Sequence, residues 1–395
     1  MKKIKGFYIT ILIFVFIFSF SQASFAAEWT HLIFLNDLEG SASTEINKLE
    51  LTGSCDAITI IALWYDKKEN KQTVYFIQKD DQPQKISSKI LSQTNISESK
   101  PTLKAFNDFA VTYLKKYPAS KLIITLYDRN SIIVNNRLAI FESRECIKDL
   151  AACFSNISES LKRPIDIAHF DADNFQCFEL LYELAPYVNY VIGSEEKIPA
   201  AGTPYSFILD RIISQKELEP RRFCFAFVSA WQKYYNQPAV RQGIKATLSA
   251  ITTAEFPMIT EKMDVFLSAL REDLALEKHR TIFNGSVLKK VRRYIDGQMV
   301  DAFDLGRLVN EEILEEVAEQ SSREYLASIT NATVKNSAIG DFGKIPTTYN
   351  SFGISIFMPQ PAPNLQNYSE LAFAKTTSWK NFLDFFYGFS LQRNW

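Results

Sequence analysis

The sequence lacks the marks of a nucleic-acid-binding or metal-binding protein. Its net charge is −1, and its basic residues are scattered over 395 positions, which argues against a dedicated nucleic-acid partner. It has three histidines and an odd number of cysteines without metal-type spacing, so no metal site is predicted and at least one thiol is expected to stay unpaired. We expect the thiols to be buried as small apolar side chains. The five cysteines are Cys55, Cys146, Cys153, Cys177 and Cys224.

Proline- or glycine-rich linkers, internal repeats and low-complexity tracts are also missing. The boundary near residue 215 is therefore soft, and we predict a core over 27–214 with a mostly helical part over 215–395 packed on it. After residue 26, no uncharged apolar run reaches the roughly 20 residues that a membrane span requires. No stable membrane span is expected once the N-terminal segment has been removed.

The first 26 residues have the three parts of a cleavable secretory signal, in the required order. A basic start at 2–5 precedes the uncharged apolar run Tyr8–Phe20, and Ser24–Ala26 then places small residues where a signal peptidase cuts. We expect cleavage after Ala26 and export to the periplasm or the extracellular space. A retained membrane anchor is the alternative, which the shortness of the apolar run disfavours.

The first half of the remaining chain alternates predicted strands and helices. Short runs rich in β-branched and aromatic residues predict strands, and apolar residues at helical spacing predict helices. Near-continuous apolar strands separated by helices indicate an α/β fold with a mainly parallel sheet covered on both faces. The strands are predicted at 29–35, 57–64, 73–78, 121–126, 165–170 and 188–192, and the helices at 103–117, 146–161 and 175–184.

Two connecting segments and the second half complete the prediction. Residues 80–100 are polar and predict a loop or a surface segment. Asn135-Asn136 predicts a two-residue hairpin turn between 131–134 and 137–141, because asparagine tolerates positive φ. The second half is predicted to be mostly helical, with one strand that returns to a sheet. Its predicted elements are helix over most of 223–332, including 311–324, a strand at 352–358 and a helix at 379–387.

Polar residues follow the predicted parallel strands where those strands end. In open parallel sheets, ligands bind outside the carboxyl ends of the strands, so these residues mark the expected site. The last three groups are expected to lie along one edge. The groups are Asp37 and Glu39, then Asp128 and Arg129, then Asp171 and Asp173, and finally Glu195 and Glu196.

These blocks resemble the clostripain-like cysteine peptidases (peptidase C11), over most of the chain after residue 26. The resemblance implies a caspase-like fold, in which helices flank a mainly parallel sheet and a helical C-terminal part returns one strand. The matching blocks are the first strand with Asp37 and Glu39, FNDFAVTYLKKYPASKLIITLYD (106–128), IDIAHFDAD (165–173) with Glu179 on the next helix, YVNYVIGSEEKIPAAGTPY (187–205), FVSAWQKYYN, TLSAIT, RRYIDGQMVDAFD, FGISIFMP and the helix at Trp379.

The resemblance also implies where the chemistry should be. In that family, the histidine of a His-Gly pair activates the cysteine that ends an Asp-Ala-Cys triplet. Here Arg129 and Asn130 stand at the His-Gly positions, and Asp173 stands at the cysteine position, so both members of the dyad are replaced. Asp171 matches a position associated with binding a basic substrate side chain; alternatively, it caps the following helix. Calcium, which some members need, is the one cofactor that the resemblance suggests.

Three functional interpretations remain open from the sequence. The first is an exported pseudopeptidase that binds a peptide or protein, with an ion pair between Arg129 and Asp173 in place of the dyad. The second is an active hydrolase in which Asp171 and Asp173 act as paired carboxylates. The third is a structural envelope component. His169 and Cys177 are weak candidates for a replacement base and nucleophile, so whether the protein is an enzyme is left open.

Overall fold

The computed structural model describes most of the chain after the N-terminal segment. The proposed signal over 1–26, Glu39 and the turn at 135–136 lie outside the described residues, as do the side chains of Asp37 and Arg129. The described residues are 27–37, 42–66, 68–82, 84–96, 103–134, 137–138, 146–215, 218–241, 243–294, 297–313, 316–340 and 351–391.

The strands form one large central sheet and one small sheet. In the central sheet the spatial order is β12-β9-β8-β7-β5-β1-β2-β3-β4, with β6 paired to the end of β5, and β10, β11 and β13 form the small sheet. The strands are β1 (Trp29–Asp37), β2 (Ile58–Asp66), β3 (Lys71–Phe76), β4 (Lys89–Asn95), β5 (Lys121–Val134), β6 (Arg137–Leu138), β7 (Ile165–Asp173), β8 (Val188–Gly193), β9 (Ala246–Thr252), β10 (Arg293–Tyr294), β11 (Met299–Asp301), β12 (Thr333–Ile339) and β13 (Ser355–Phe357).

Helices cover both faces of the central sheet. Of the longer helices, α1, α5 and α6 pack on one face, whereas α2, α3, α4 and α8 pack on the other. The helices are α1 (Ala42–Glu50), α2 (Leu103–Lys116), α3 (Ile147–Leu161), α4 (Phe178–Leu184), α5 (Tyr205–Ile213), α6 (Pro220–Tyr235), α7 (Pro238–Arg241), α8 (Phe256–Leu274), α9 (Glu277–Ile282), α10 (Leu288–Lys290), α11 (Ala302–Glu312), α12 (Glu316–Ala332), α13 (Ala372–Thr376) and α14 (Trp379–Leu391).

The core of the sheet is parallel, as the apolar runs predicted. Strands β2, β1, β5, β7 and β8 pair in parallel, while β3, β4, β9 and β12 extend the sheet in antiparallel pairing. Strand β7 is buried along all of its length except its last residue, because helices cover it on both sides. The α/β prediction is therefore confirmed.

Some elements differ from the prediction. Strand β4 lies within 80–100, which was predicted as a loop or a surface segment: it is an exposed edge strand held to β3 by backbone hydrogen bonds, so its sequence carries no apolar pattern. Strand β9 lies within the predicted helical half and is fully buried beside β8, where the polar residues of ATLSAIT hid the strand pattern. The predicted helix 311–324 is interrupted, since α11 ends at Glu312 and α12 begins at Glu316.

The end of β5 contains a wide bulge beside the predicted site. Tyr127 pairs with Asp171 and Ile132 pairs with Asp173, so the stretch 128–131 of β5 lies opposite the single residue Ala172 of β7. Beyond the bulge, the end of β5 pairs with β6 in antiparallel orientation, as the predicted hairpin requires. The bulge holds the backbone of Arg129, the residue that the sequence resemblance assigns to the histidine position.

The predicted C-terminal strand pairs in the small sheet. Strand β13 pairs with β11 in the small sheet, and a single bridge from Ser355 to Cys177 connects it to the central core. Cys153, Cys177 and Cys224 are buried, as predicted, whereas Cys55 is exposed; none of the five cysteines forms a disulfide. Within the described ranges, no helix is both long and apolar enough to cross a bilayer.

Candidate functional site

The segments that follow β7 and β8 meet at the carboxyl edge of the sheet. The Asp173 carboxylate accepts a hydrogen bond from the Ile198 amide at 2.7 Å, and the Gln176 amide donates to the Ser194 carbonyl at 3.1 Å. A side chain at Gly193 would have its Cβ only 2.7 Å from Gln176 Oε1, so glycine permits this close approach. Two of the predicted polar groups are thus brought together.

The first two polar groups also meet at this edge. Asn36 and Asp128 are register partners on β1 and β5, and Asn36 Nδ2 donates to the buried Asp128 carboxylate at 2.7 Å. Asp37 follows on the same strand, and its backbone pairs with Asp66 of β2. Strands β1, β5, β7 and β8 therefore bring their polar ends to one edge, in that order.

A buried polar chain runs from this edge into the core on the α5 and α6 side of the sheet. Asp171 is fully buried and accepts a hydrogen bond from the Tyr205 hydroxyl at 2.9 Å. Two residues earlier, His169 contacts the Thr125 hydroxyl at 3.2 Å, and that hydroxyl contacts His31 at 2.7 Å. Side chains alternate along each strand, so these groups on three neighbouring strands face the same way.

Neither His169 nor Cys177 has the properties of a catalytic group. Burial lowers the pKa of His169 to about 4, although the negative charge of Asp171 opposes this shift. Burial, together with the His169 charge, lowers the pKa of His31 to about 3. Burial raises the pKa of the Cys177 thiol well above its usual value, so this thiol stays protonated and is a poor nucleophile.

The Thr125 hydroxyl contacts both buried imidazoles, and the Thr125→Val variant should show how much these two hydrogen bonds contribute to stability. Valine keeps the shape but leaves one buried nitrogen of each imidazole without its partner, so we expect a loss of about 2 kcal/mol in unfolding free energy. Thr125→Ser, which retains a hydroxyl, should lose clearly less. Urea denaturation at pH 7 measures both; equal losses would show that packing, and not hydrogen bonding, matters at this position.

Glu195 lies beneath the edge in a buried acidic cluster. Its Oε2 accepts hydrogen bonds from the Ser351 hydroxyl at 2.8 Å and the Gly353 amide at 3.0 Å. Its Oε1 has no donor among the described residues, and its side chain interacts with the buried Asp301 carboxyl. Two carboxyl groups can hydrogen-bond only when one of them carries a proton. Burial accordingly raises the pKa of Glu195 to about 7, and the pKa of Asp301 is also raised.

A cavity of about 710 Å³ opens beside Asp173, between the segment that follows β8 and the hairpin of β10 and β11. Glu196 lines it and is paired with Arg292, whose Nη2 lies 3.0 Å from Glu196 Oε2. Lys197 and Arg293 line the cavity as well. Arg293 Nη1 donates to two backbone carbonyls, but its buried Nη2 has no acceptor in the described part of the chain. Arg293 therefore places a positive charge at the cavity wall, while its Nη2 is buried against the protein.

The site thus contains residues that the sequence did not single out. Thr125, Tyr205 and Arg293 belong to it through tertiary contacts; each lies in one of the matching blocks, but no spacing marked any of them as a site residue. Among the described residues, no three histidine, cysteine or carboxylate side chains are grouped so that they could hold a metal ion. Asp128, Asp173, Glu195 and Glu196 all lie at or beneath the predicted edge.

Known structures share this architecture. An inactive zymogen C11 protease from Parabacteroides distasonis aligns with a TM-score of 0.66 and 19% identity, over 89% of this chain and 98% of that one. A secreted C11 cysteine protease from Bacteroides thetaiotaomicron, in complex with an irreversible peptide inhibitor, aligns with a TM-score of 0.62 and 16% identity, over 91% and 99%. At these identities the likeness establishes the fold alone.

Sequence comparison adds the family. No protein with a curated description matches the chain. The sequence profile of the clostripain family, peptidase C11, matches residues 34–386, which include the central sheet apart from the first five residues of β1 and nearly all of the C-terminal half. The match covers the site described above from Asn36 to Gly353. The chain belongs to the clostripain family.

Proposed function

We propose that this protein is an exported pseudopeptidase of the clostripain family that binds a peptide at the carboxyl edge of its sheet. The observation that carries the proposal is the hydrogen bond made by the carboxylate of Asp173, the residue at the family's cysteine position. Its carboxylate accepts the Ile198 amide at 2.7 Å and so holds the segment that lines the cavity. A carboxylate used in this way anchors a binding loop where a thiolate would have attacked a substrate.

The surrounding groups support an absence of thiol chemistry. Cysteine catalysis needs a thiolate within reach of a base, and the histidine position of the family is taken by Arg129. Arginine stays protonated in proteins and cannot carry a proton back and forth. The nearest alternatives, Cys177 and His169, are buried, the first as a thiol and the second as a neutral imidazole.

The charges of the site favour a peptide that ends in a basic residue. Asp171 and Asp173 lie two apart on β7 and share a face of the sheet, on the side where a basic side chain is expected in the family. Lys197 and Arg293 line the cavity, and their positive charges can pair with a carboxylate. A peptide with a C-terminal lysine or arginine carries both charges, and it is the product that a clostripain-like peptidase would release.

Activity and binding assays on the secreted chain test this proposal together. Peptide substrates with lysine or arginine at the cleavage site should show no turnover, with or without calcium. A fluorescent peptide ending in free arginine should bind saturably, and its C-terminal amide should bind at least about tenfold more weakly, because an ion pair with Arg293 is lost. Arg293→Met should remove this preference, whereas Lys89→Met on the exposed strand β4 should not.

Two results would contradict the pseudopeptidase. Turnover that a thiol reagent abolishes would establish a working cysteine peptidase, with an unexpected nucleophile. Turnover that resists the reagent but disappears in Asp173→Asn would establish the carboxylate hydrolase, in which Asp171 and Asp173 act as an acid and base pair. That alternative is less favoured because the two carboxylates are engaged by separate donors, the Ile198 amide and the Tyr205 hydroxyl.

A further inference from the structure

A second recess lies on the side of the sheet, between α6, the end of α5 and β12. Its volume is about 910 Å³. Four of its lining residues are cationic, and no aspartate or glutamate lines it among the described residues. We call it the basic groove, and its defining residues are Arg211, Arg221, Arg222, Phe225 and Lys233.

The basic groove follows one face of α6. Arg221, Phe225 and Lys233 are separated by multiples of four residues, which places them on one side of a helix. The distance along the axis from the first to the last is about 18 Å, at 1.5 Å per residue. Positive charge therefore stands at both ends, with an exposed aromatic ring between, because 52% of the Phe225 surface is accessible.

Residues from two other elements complete the positive surface. The Arg211 guanidinium stacks on the Phe207 ring, 3.3 Å from its centroid, and Nη1 donates to the Phe207 carbonyl, so its position is fixed. On β12, Lys335 places its ammonium 5.6 Å from the centroid of the Phe225 ring. The tertiary structure brings Arg211 and Lys335 next to the cations of α6. The positive charge of the groove is therefore local, since the whole chain has a net charge of −1.

Two acidic residues near the groove in sequence, both in the described part of the chain, have other partners. Glu219 pairs with Lys121 at 3.2 Å, and Asp210 accepts the Thr52 hydroxyl at 2.6 Å. Lys121 is the first residue of β5, so the start of α6 lies at the amino edge of the parallel strands. The basic groove begins at this edge, opposite the site at Asp173, and an occupant of one need not exclude an occupant of the other.

We propose that the basic groove binds an acidic polypeptide segment, whose carboxylates pair with its arginines and whose apolar side chain packs on Phe225. A span of about 18 Å accommodates five or six extended residues at about 3.3 Å each. A uniform polyanion would satisfy the arginines and lysines but would place nothing apolar against the exposed ring. Arginine and exposed aromatic residues are the side chains that contribute most to protein interfaces.

Fluorescence anisotropy with designed peptides tests the proposal. The probe is labelled Glu-Asp-Leu-Phe-Asp-Glu, and the comparison peptides replace Leu-Phe by Ser-Gly or all acidic residues by lysine. We expect saturable binding of the probe, weakened severalfold when NaCl rises from about 50 to about 300 mM, and little binding of the lysine peptide. The Ser-Gly peptide should bind about tenfold more weakly than the probe.

Variants of exposed residues make the test specific. Arg221→Ala with Arg222→Ala should weaken probe binding at least about tenfold, and Phe225→Ser should abolish the preference for Leu-Phe over Ser-Gly. The matched control is Lys89→Ala with Lys115→Ala, two exposed cations remote from the groove in sequence and on other elements. Retained melting temperatures would show that the variants fold, as their exposure leads us to expect.

Three outcomes would overturn the proposal. The first is no binding of the probe, and the second is binding that the arginine variants and the lysine control weaken equally. The third is binding that ignores Phe225 and is displaced more effectively by dextran sulfate than by the unlabelled probe, which would assign the groove to an anionic polymer.

Discussion

Glu195→Gln should stabilise the protein at pH 8 and leave it unchanged or weaker at pH 5. The unfolded-state pKa of glutamate is about 4.5, and the folded-state pKa of Glu195 is raised to about 7 by burial. A raised folded-state pKa gives stability that is fully present below 4.5 and is lost as the pH rises through 7. The shift corresponds to about 3 kcal/mol, at about 1.4 kcal/mol per pH unit.

Glutamine removes this loss of stability because its side-chain amide does not ionise between pH 5 and pH 9. Its amide can donate to Asp301, whose raised pKa arises first from burial and then from the charge of Glu195. Measured in urea from pH 5 to pH 9, the difference in unfolding free energy between the variant and the unmodified protein should grow by about 3 kcal/mol. Nearly all of this change should occur between pH 5 and pH 7, because above the folded-state pKa Glu195 is ionised in both the folded and the unfolded state.

The neighbouring residue provides the control for this experiment. Glu196 is partly exposed and paired with Arg292, so Glu196→Gln should cost little and should leave the pH profile from pH 5 to pH 9 unchanged. The lowered pKa of His169 makes its own contribution disappear as the pH falls from 6.5 towards 4, but this effect is common to both variants and the unmodified protein, so it cancels in the differences. A pH profile identical in Glu195→Gln and the unmodified protein would refute the raised pKa of Glu195.

Glu179→Ala should cost about 3 kcal/mol and loosen the C-terminal segment. Glu179 lies on α4, directly after the site strand β7, and is fully buried. Its Oε1 accepts the Phe357 amide of β13 at 3.0 Å and the Tyr368 hydroxyl at 2.7 Å. Alanine leaves two buried donors without an acceptor, each of which costs about 1 to 3 kcal/mol. Urea denaturation gives the loss, and hydrogen exchange should quicken at Phe357.

Glu183 is the matched control for Glu179. It lies one turn later on α4, is less buried, and accepts one hydrogen bond, from the Phe373 amide at 3.2 Å. Glu183→Ala should cost about 1 kcal/mol or less, and Glu179→Gln should also be mild because its remaining oxygen can accept both donors. If Glu179→Ala and Glu183→Ala cost the same, the link between α4 and β13 is not what holds the C-terminal segment.

Much of the fold could be predicted because burial on both faces leaves a strong signal. The apolar runs that became β1, β2, β5, β7 and β8 are all found where the sequence placed them. Strands that are held mainly by backbone hydrogen bonds, and not by large apolar side chains, were not predicted. β4 is exposed and polar, and β9 is buried through the small side chains of alanine, serine and threonine, so neither shows a pattern.

For the site, the sequence predicted the edge of the sheet at which the polar residues lie, but not the depth or the partners of their side chains. The rule that ligands lie at the carboxyl ends of parallel strands placed Asp128, Asp173 and Glu195 at one edge. It did not distinguish the depth of each side chain: Glu195 lies beneath the edge against Asp301, more than 100 positions away in sequence. Spacing along the chain carries no information about such partners, because they come from loops and hairpins packed later against the sheet.

The sequence by itself therefore determined the family and the parallel sheet, and it is the resemblance to the family that places Arg129 and Asp173 at the dyad positions. These are properties of residue identity and local pattern. Only the tertiary structure decided which carboxyl groups are buried together, how Asp173 holds the segment beside the cavity, and that cations of α5 and α6 form the basic groove. Such properties depend on burial and on contacts between distant segments, which exist only once the helices have packed against the sheet.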